Sequence, residues 1–251
     1  MISGVGVALA TLFNESLSID VDATVEHAVR LAGLGMEHVL VAGSTGEAAA
    51  LTEGERSRLT MAVRDALPDD VAVLAGTGAP SSYQAMRLTS QAVDAGADAV
   101  LVLSPRGSNE LRTYFTAVAH VAGDTPVLGY HFPAMSSPGI PVGMLQELPI
   151  AGCKDSTGDP TRLLQELTET EVPIFVGSTA VLAMAGPMGA AGAILQAGNV
   201  EPELCARAFS GDGDAQLALA EAHLATKDRA PNGTKELMAA KWGTPLHSRI
   251  R

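Results

Sequence analysis

Lys154 lies in Ile150-Ala151-Gly152-Cys153-Lys154-Asp155-Ser156-Thr157, a short apolar run bounded by Pro149 and a Gly158-Asp159-Pro160 turn. Such a run predicts a buried strand. Burial disfavours the ammonium form and lowers its pKa, and a lysine amine that is partly neutral near pH 7 can attack a carbonyl and form a Schiff base. The other role open to it is an ion pair near a strand end, with Asp155 as the obvious partner. Side chains alternate across a strand, however, so Lys154 and Asp155 should point to opposite faces.

Two further segments carry groups that suit such an amine. Tyr130, in Gly129-Tyr130-His131-Phe132-Pro133, is one of three tyrosines in the chain and ends an apolar run. A buried phenol needs a partner and can serve as general acid or base; the competing role is a core tyrosine bonded to backbone. His131 alternates to the other face and is expected to be structural. Gly43-Ser44-Thr45-Gly46-Glu47 places two hydroxyls between two glycines. This tight turn can present N–H and hydroxyl donors to a carboxylate or phosphate, or it can be an ordinary strand–helix connection.

The elements that must position these residues alternate along the chain. Strands are predicted near Val5–Phe13, His38–Ala42, Val71–Gly76, Ala99–Leu103, Pro126–Phe132, Ile150–Asp155, Pro173–Val176 and Gly192–Gln196. Amphipathic helices are predicted at Asp22–Leu34, Thr52–Ala66, Ser81–Ala95, Leu111–Val121 and Pro160–Thr168, with Thr52 and Glu55 forming a capping box. Eight strands too apolar to face water imply an α/β fold, a closed parallel (β/α)8 (TIM) barrel. An open doubly wound sheet is the alternative, but no Gly-x-Gly-x-x-Gly follows the first strand. Helices at Pro202–Phe209, Asp214–Ala225 and Thr234–Lys241 exceed the last crossover. Residues 1–200 are therefore expected to form the catalytic barrel, and 201–251 its last helix plus a short C-terminal helical extension.

Composition narrows the function. The 251 residues are 47% hydrophobic and carry a net charge of −12, which argues against nonspecific nucleic-acid binding. Mean hydropathy is +0.20, but no apolar run reaches the ~18 residues of a membrane helix, and no secretory signal is visible. Cys153 and Cys205 make neither a disulfide framework nor a zinc spacing, so a reduced cytoplasm is expected.

The three motifs, Gly43-Ser44-Thr45-Gly46-Glu47, Tyr130-His131-Phe132-Pro133 and Gly152-Cys153-Lys154-Asp155-Ser156-Thr157-Gly158-Asp159, resemble in order and spacing those of the dihydrodipicolinate synthase / N-acetylneuraminate lyase family. Gly177-Ser178 and Gly198-Asn199-Val200-x-Pro202-Glu203-Leu204 resemble its later strand ends. The resemblance covers nearly the whole chain. It implies a (β/α)8 barrel with a C-terminal helical extension, a homo-oligomer (tetramer or dimer) and no cofactor. It further implies that Lys154 forms the Schiff base with pyruvate or another 2-oxo acid. Ser44 and Thr45, with Gly43, would hold the substrate carboxylate, and Thr45 would also relay protons to Tyr130.

The chain departs from the family's specificity elements. Ser104-Pro105 is followed by Arg106-Gly107-Ser108, with no tyrosine, where the synthase branch carries a tyrosine pair. Ala134-Met135-Ser136-Ser137-Pro138-Gly139 lacks the basic residue of that branch. Ser178-Thr179-Ala180 replaces the acidic pair of the lyase branch. The expectation is a 2-oxo acid aldolase or lyase with an open second substrate. Synthesis from pyruvate and aspartate semialdehyde, and a non-catalytic barrel acting as sensor or scaffold, are the alternatives.

Overall fold

Eight short parallel strands close on themselves in the computed structural model, in the order β1-β2-β3-β4-β5-β6-β7-β8. The structure describes residues 2–107 and 110–250; Ser108 of the Arg106-Gly107-Ser108 segment lies outside them. The strands are β1 (Gly4–Ala8), β2 (His38–Val41), β3 (Ala72–Gly76), β4 (Ala99–Leu103), β5 (Val127–His131), β6 (Gly152–Asp155), β7 (Ile174–Val176) and β8 (Gly192–Leu195). Closure comes from β1 pairing with β8, Val5 opposite Ala193 and Val7 opposite Leu195. The chain is a (β/α)8 barrel.

Alternation along these strands builds two apolar layers. Leu40, Leu74, Leu101, Leu128, Phe175 and Ile194 fill the barrel interior. Their neighbours Val39, Val41, Val73, Val100, Val102 and Val176 face outward and pack under the helices. Strands buried on both faces must be apolar throughout, which is why they carry no polar alternation.

The helices α1 (Val21–Gly33), α2 (Glu53–Ala66), α3 (Ser82–Asp94), α4 (Leu111–Ala122) and α5 (Pro160–Glu169) follow their predicted spans closely. Thr52 caps α2, and the reciprocal bonds of a capping box join it to Glu55. The β5–β6 connection contains a 3-10 segment, Val142–Glu147, in a stretch interrupted by Pro133, Pro138 and Pro141. Between β7 and β8 stands the four-residue α6 (Leu182–Ala185).

Two predicted spans are shorter or divided. The first strand ends at Ala8 rather than Phe13, because the Asn199 side chain takes over the backbone beyond it, donating to Ala8 O at 2.7 Å and accepting from Ala10 N at 3.0 Å. After α7 (Pro202–Phe209), the segment expected as one helix divides at Leu219 into α8 (Gly213–Ala218) and α9 (Ala220–Asp228). The last helix, α10 (Asn232–Trp242), returns to the barrel, where Trp242 Nε1 donates to Asn199 O at 2.9 Å. No described helix is long and apolar enough to cross a membrane.

Two histidines are buried, His38 on β2 inside the barrel and His27 on α1. His38 lies edge-on to Phe175 with ring centroids 6.2 Å apart, and His27 is enclosed in α1 beside Arg30. Burial is the main cause that lowers each from 6.5 to about 4. In the unfolded chain both regain an ordinary value near 6.5. Their stabilising effect is therefore complete above pH 6.5 and is lost as pH falls toward 4. Denaturation midpoints at pH 7.5 and 4.5 test this: His38→Gln, which cannot titrate, should show a smaller acid-induced drop than the wild type. An equal drop in both would contradict it.

Candidate active site

Lys154 occupies β6 directly opposite Tyr130 of β5 and Phe175 of β7. Its side chain points into the barrel, where it is 4% exposed and its Nζ lies 4.6 Å from the centroid of the Tyr130 ring. Burial lowers its pKa from 10.5 to about 7. No carboxylate opposes that shift from the same face. Asp155 points the other way, accepting from Thr157 N at 2.7 Å and Thr157 Oγ1 at 2.9 Å and lying 3.3 Å from Arg162 Nε. The ion pair open to Lys154 on sequence grounds is thus absent, and Asp155 joins Arg162 and the buried Glu166 behind the strand. Burial and the nearby Asp155 carboxylate push Glu166 above the usual carboxylate range.

Tyr130 is buried, and the side chains of Ser156 and Ser44 near its phenol favour the ionised form. Burial outweighs their influence and pushes the phenol up to about 12. Tyr130 is therefore a protonated donor at neutral pH, next to an amine that burial leaves partly neutral near that pH. Thr45 is buried and follows Ser44 in the same turn.

The Gly43–Gly46 turn is held in an uncommon shape. Ala42 before it and Glu47 after it both adopt left-handed backbone, with φ of 52° and 55°. Gly76 allows the close approach at Ala42, since a Cβ there would lie 2.2 Å from Ala42 O. Thr11 Oγ1 donates to Gly46 O at 2.7 Å.

Sequence reasoning left two contributors unassigned. Ser156 follows Lys154 by two residues, so strand alternation puts it on the same face, and this was available as a signal. Gly177, just past β7, gives the lysine its space: a Cβ there would lie 2.6 Å from Lys154 Cε and 2.0 Å from Ser156 Oγ. His131 is structural as expected, its Nδ1 accepting from Ile140 N at 2.8 Å. Tyr114 is anchored on Ala79, donating to its carbonyl at 2.9 Å. Arg106 donates to Met135 O at 3.0 Å from an exposed loop.

A cavity of about 460 Å³ opens over the ends of β2 to β5. Ser44, Tyr130, Leu101, Leu103, Met135 and Ile250 are among its walls. Tyr130 is one of the cavity walls, and Lys154 Nζ lies 4.6 Å from the centroid of its ring. Among the described residues, no group of three or more His, Cys, Asp or Glu is placed to hold a metal ion.

Residues 1–230 match the model of the dihydrodipicolinate synthetase family. An uncharacterized DapA-like lyase of Halobacterium salinarum is 33% identical over 229 residues, covering 86% of this chain and 75% of its own. A 4-hydroxy-tetrahydrodipicolinate synthase of Natronomonas pharaonis is 31% identical over 225 residues, with 84% and 76% covered. Among solved structures, a prophage protein of the dihydrodipicolinic acid synthase family from E. coli K12, in complex with pyruvate, superposes with a TM-score of 0.90. That match has 22% identity and covers 99% of this chain and 91% of the other, and it shows the shared fold.

Gly177→Ala tests the space around the amine. The added methyl should displace Lys154 or Ser156 and slow the reaction of Lys154 with a small carbonyl probe, read by peptide mapping after reduction, while the thermal midpoint moves little. An unchanged rate would contradict the packing described.

Proposed function

The chain belongs to the dihydrodipicolinate synthetase family, and from that premise we propose that it is a class I carbon–carbon lyase or aldolase acting on pyruvate or another 2-oxo acid. The observation that carries this proposal is the lysine amine lowered to about 7 by burial alone, lying against a buried, protonated tyrosine.

In this mechanism the neutral Lys154 amine attacks the keto carbon, and its surplus proton passes to the carbonyl oxygen to give a carbinolamine. Tyr130 protonates the departing hydroxyl, which leaves as water, and the nitrogen lone pair forms the iminium. The iminium withdraws electrons from the adjacent carbon. The Tyr130 phenolate left by that transfer takes a proton from this carbon, giving an enamine that can attack an aldehyde, and the reverse path cleaves the same bond. Ser44 and Ser156, near the phenol, and Thr45 beside Ser44 are assigned to relay protons to and from Tyr130. The carboxylate of the 2-oxo acid is assigned to Gly43, Ser44 and Thr45, whose N–H and hydroxyl donors stabilise it without a formal cation. We further assign the enzyme to the cytoplasm as a homo-oligomer, a dimer or a tetramer, in line with the exposed apolar side chains of Tyr83, Leu217 and Leu224.

Condensation of pyruvate with aspartate semialdehyde is a second possibility, favoured by relatives named as 4-hydroxy-tetrahydrodipicolinate synthases. The segment 134–139 lacks a basic residue for the carboxylate of that aldehyde, and losing such a charge-assisted contact costs roughly 1.5–3 kcal/mol. A coupled assay with the semialdehyde decides between an open second substrate and this one.

Incubation with pyruvate or a small panel of 2-oxo acids, followed by borohydride reduction, should leave an adduct on the peptide containing Lys154. Lys154→Ala should abolish it, and no adduct with any acid in the wild type would defeat the proposal. Tyr130→Phe should retain binding but lower turnover by about 10²–10⁴-fold, the usual scale of acid–base catalysis. A loss under threefold would remove Tyr130 from the proton transfers.

A further inference from the structure

Glu47 closes the turn that carries Ser44 and Thr45, yet its carboxylate faces away from the amine. It is 1% exposed and is saturated by donors from the far end of the chain. Lys235 Nζ of α10 forms an ion pair with Oε1. On Oε2 converge Ser248 Oγ at 2.9 Å, Arg249 N at 2.8 Å and Ile250 N at 2.8 Å. Lys235 also donates to His247 O at 2.7 Å, so the cation and the carboxylate grip the same strap.

The strap is fixed again one residue on. The Arg249 guanidinium pairs with both carboxylate oxygens of Glu55, at 2.9 and 2.7 Å, and donates to Ala50 O and Leu17 O. Phe13 packs under both cations, with Lys235 Nζ 4.5 Å and Arg249 Cζ 4.7 Å from its ring centroid. Ile250, the next residue, is a wall of the cavity that Ser44 and Tyr130 border.

A left-handed conformation at a glutamate is unfavourable and persists only where its surroundings enforce it. Here the enforcement is visible. A buried carboxylate left with unfilled acceptor sites is costly, and in this conformation four donors satisfy Glu47. Glu47 and Ala42 are the two left-handed residues that bracket Ser44 and Thr45, so the Glu47 anchor sets where those hydroxyls stand.

We infer that Glu47 is a positioning residue for the carboxylate-binding turn, acting through the 247–250 strap without touching substrate. The assignment rests on the Schiff-base function proposed above. It predicts that loosening the strap weakens capture of the 2-oxo acid more than it slows the chemistry at Lys154.

The test measures adduct formation with pyruvate and borohydride across pyruvate concentrations, in wild type, Glu47→Gln and Arg249→Ala, with thermal midpoints alongside. Glu47→Gln should raise the half-saturating pyruvate concentration about tenfold or more, as the loss of one charge-assisted contact would. Its rate at saturation should stay within about threefold of wild type, the fold-change that marks a binding rather than a chemical defect. Arg249→Ala, which leaves Glu47 in place but frees the strap, should move the same parameter in the same direction, and it decides the matter if Glu47→Gln does not fold. A lowered thermal midpoint with an unmoved half-saturation in Arg249→Ala would make the anchor merely structural and overturn the inference. Adduct formation in wild type with that outcome leaves the Schiff-base function standing. No adduct in wild type removes that function and this assignment with it.

Discussion

The site depends on one desolvated amine. Inside the barrel Lys154 has hydrophobic walls, an aromatic face and hydroxyls around it, and no carboxylate on its own side of the sheet. An acid within ~4–6 Å would stabilise the ammonium and return the pKa toward that of a surface lysine. Asp155, adjacent in sequence, is kept from doing so by strand geometry and by Arg162 and Thr157 on the outer face. The same alternation that makes the strand therefore leaves the amine without a carboxylate on its own face.

Other features of the barrel mouth follow from accommodating that amine. Gly177 leaves room for its Cε, Tyr130 covers it, and Ser156 shares its face. The Gly43–Gly46 turn across the barrel is strained at both ends and is held by Gly76 on one side and by the Glu47 anchor on the other. The fold thus supplies rigid strand ends, and the helical extension supplies the brace for the one turn that strands alone do not fix. Two of the deeply buried charged groups, Lys235 and Glu47, belong to that brace.

Much of this was legible from residue order. Eight apolar runs of strand length, each followed by a connection to the next, fixed the barrel, and the offset between Tyr130 and Lys154 on adjacent strands placed them side by side. The capping box of α2 was visible in Thr52 and Glu55. Less legible was anything set by long-range contact. Where the Ser44 and Thr45 hydroxyls stand depends on the left-handed backbone at Ala42 and Glu47, which no local pattern dictates. The early end of β1 depends on Asn199, about 190 residues away in sequence and adjacent in space. The strap on Glu47 is likewise a contact across roughly the whole chain, and Ser248 and Arg249 carry no motif that announces it. The space at Gly177 is invisible until the opposite side chain is in place.

Burial alone, on this proposal, makes Lys154 a partly neutral amine at physiological pH and so a nucleophile. The most direct measurement is the titration of its side chain, by NMR on protein with isotope-labelled lysine and the resonance assigned by comparison with Lys154→Arg. A midpoint near 7 is the result this account predicts. A midpoint near the ordinary lysine value of about 10.4 would contradict it, because the amine would then be fully charged where the chemistry needs a free electron pair.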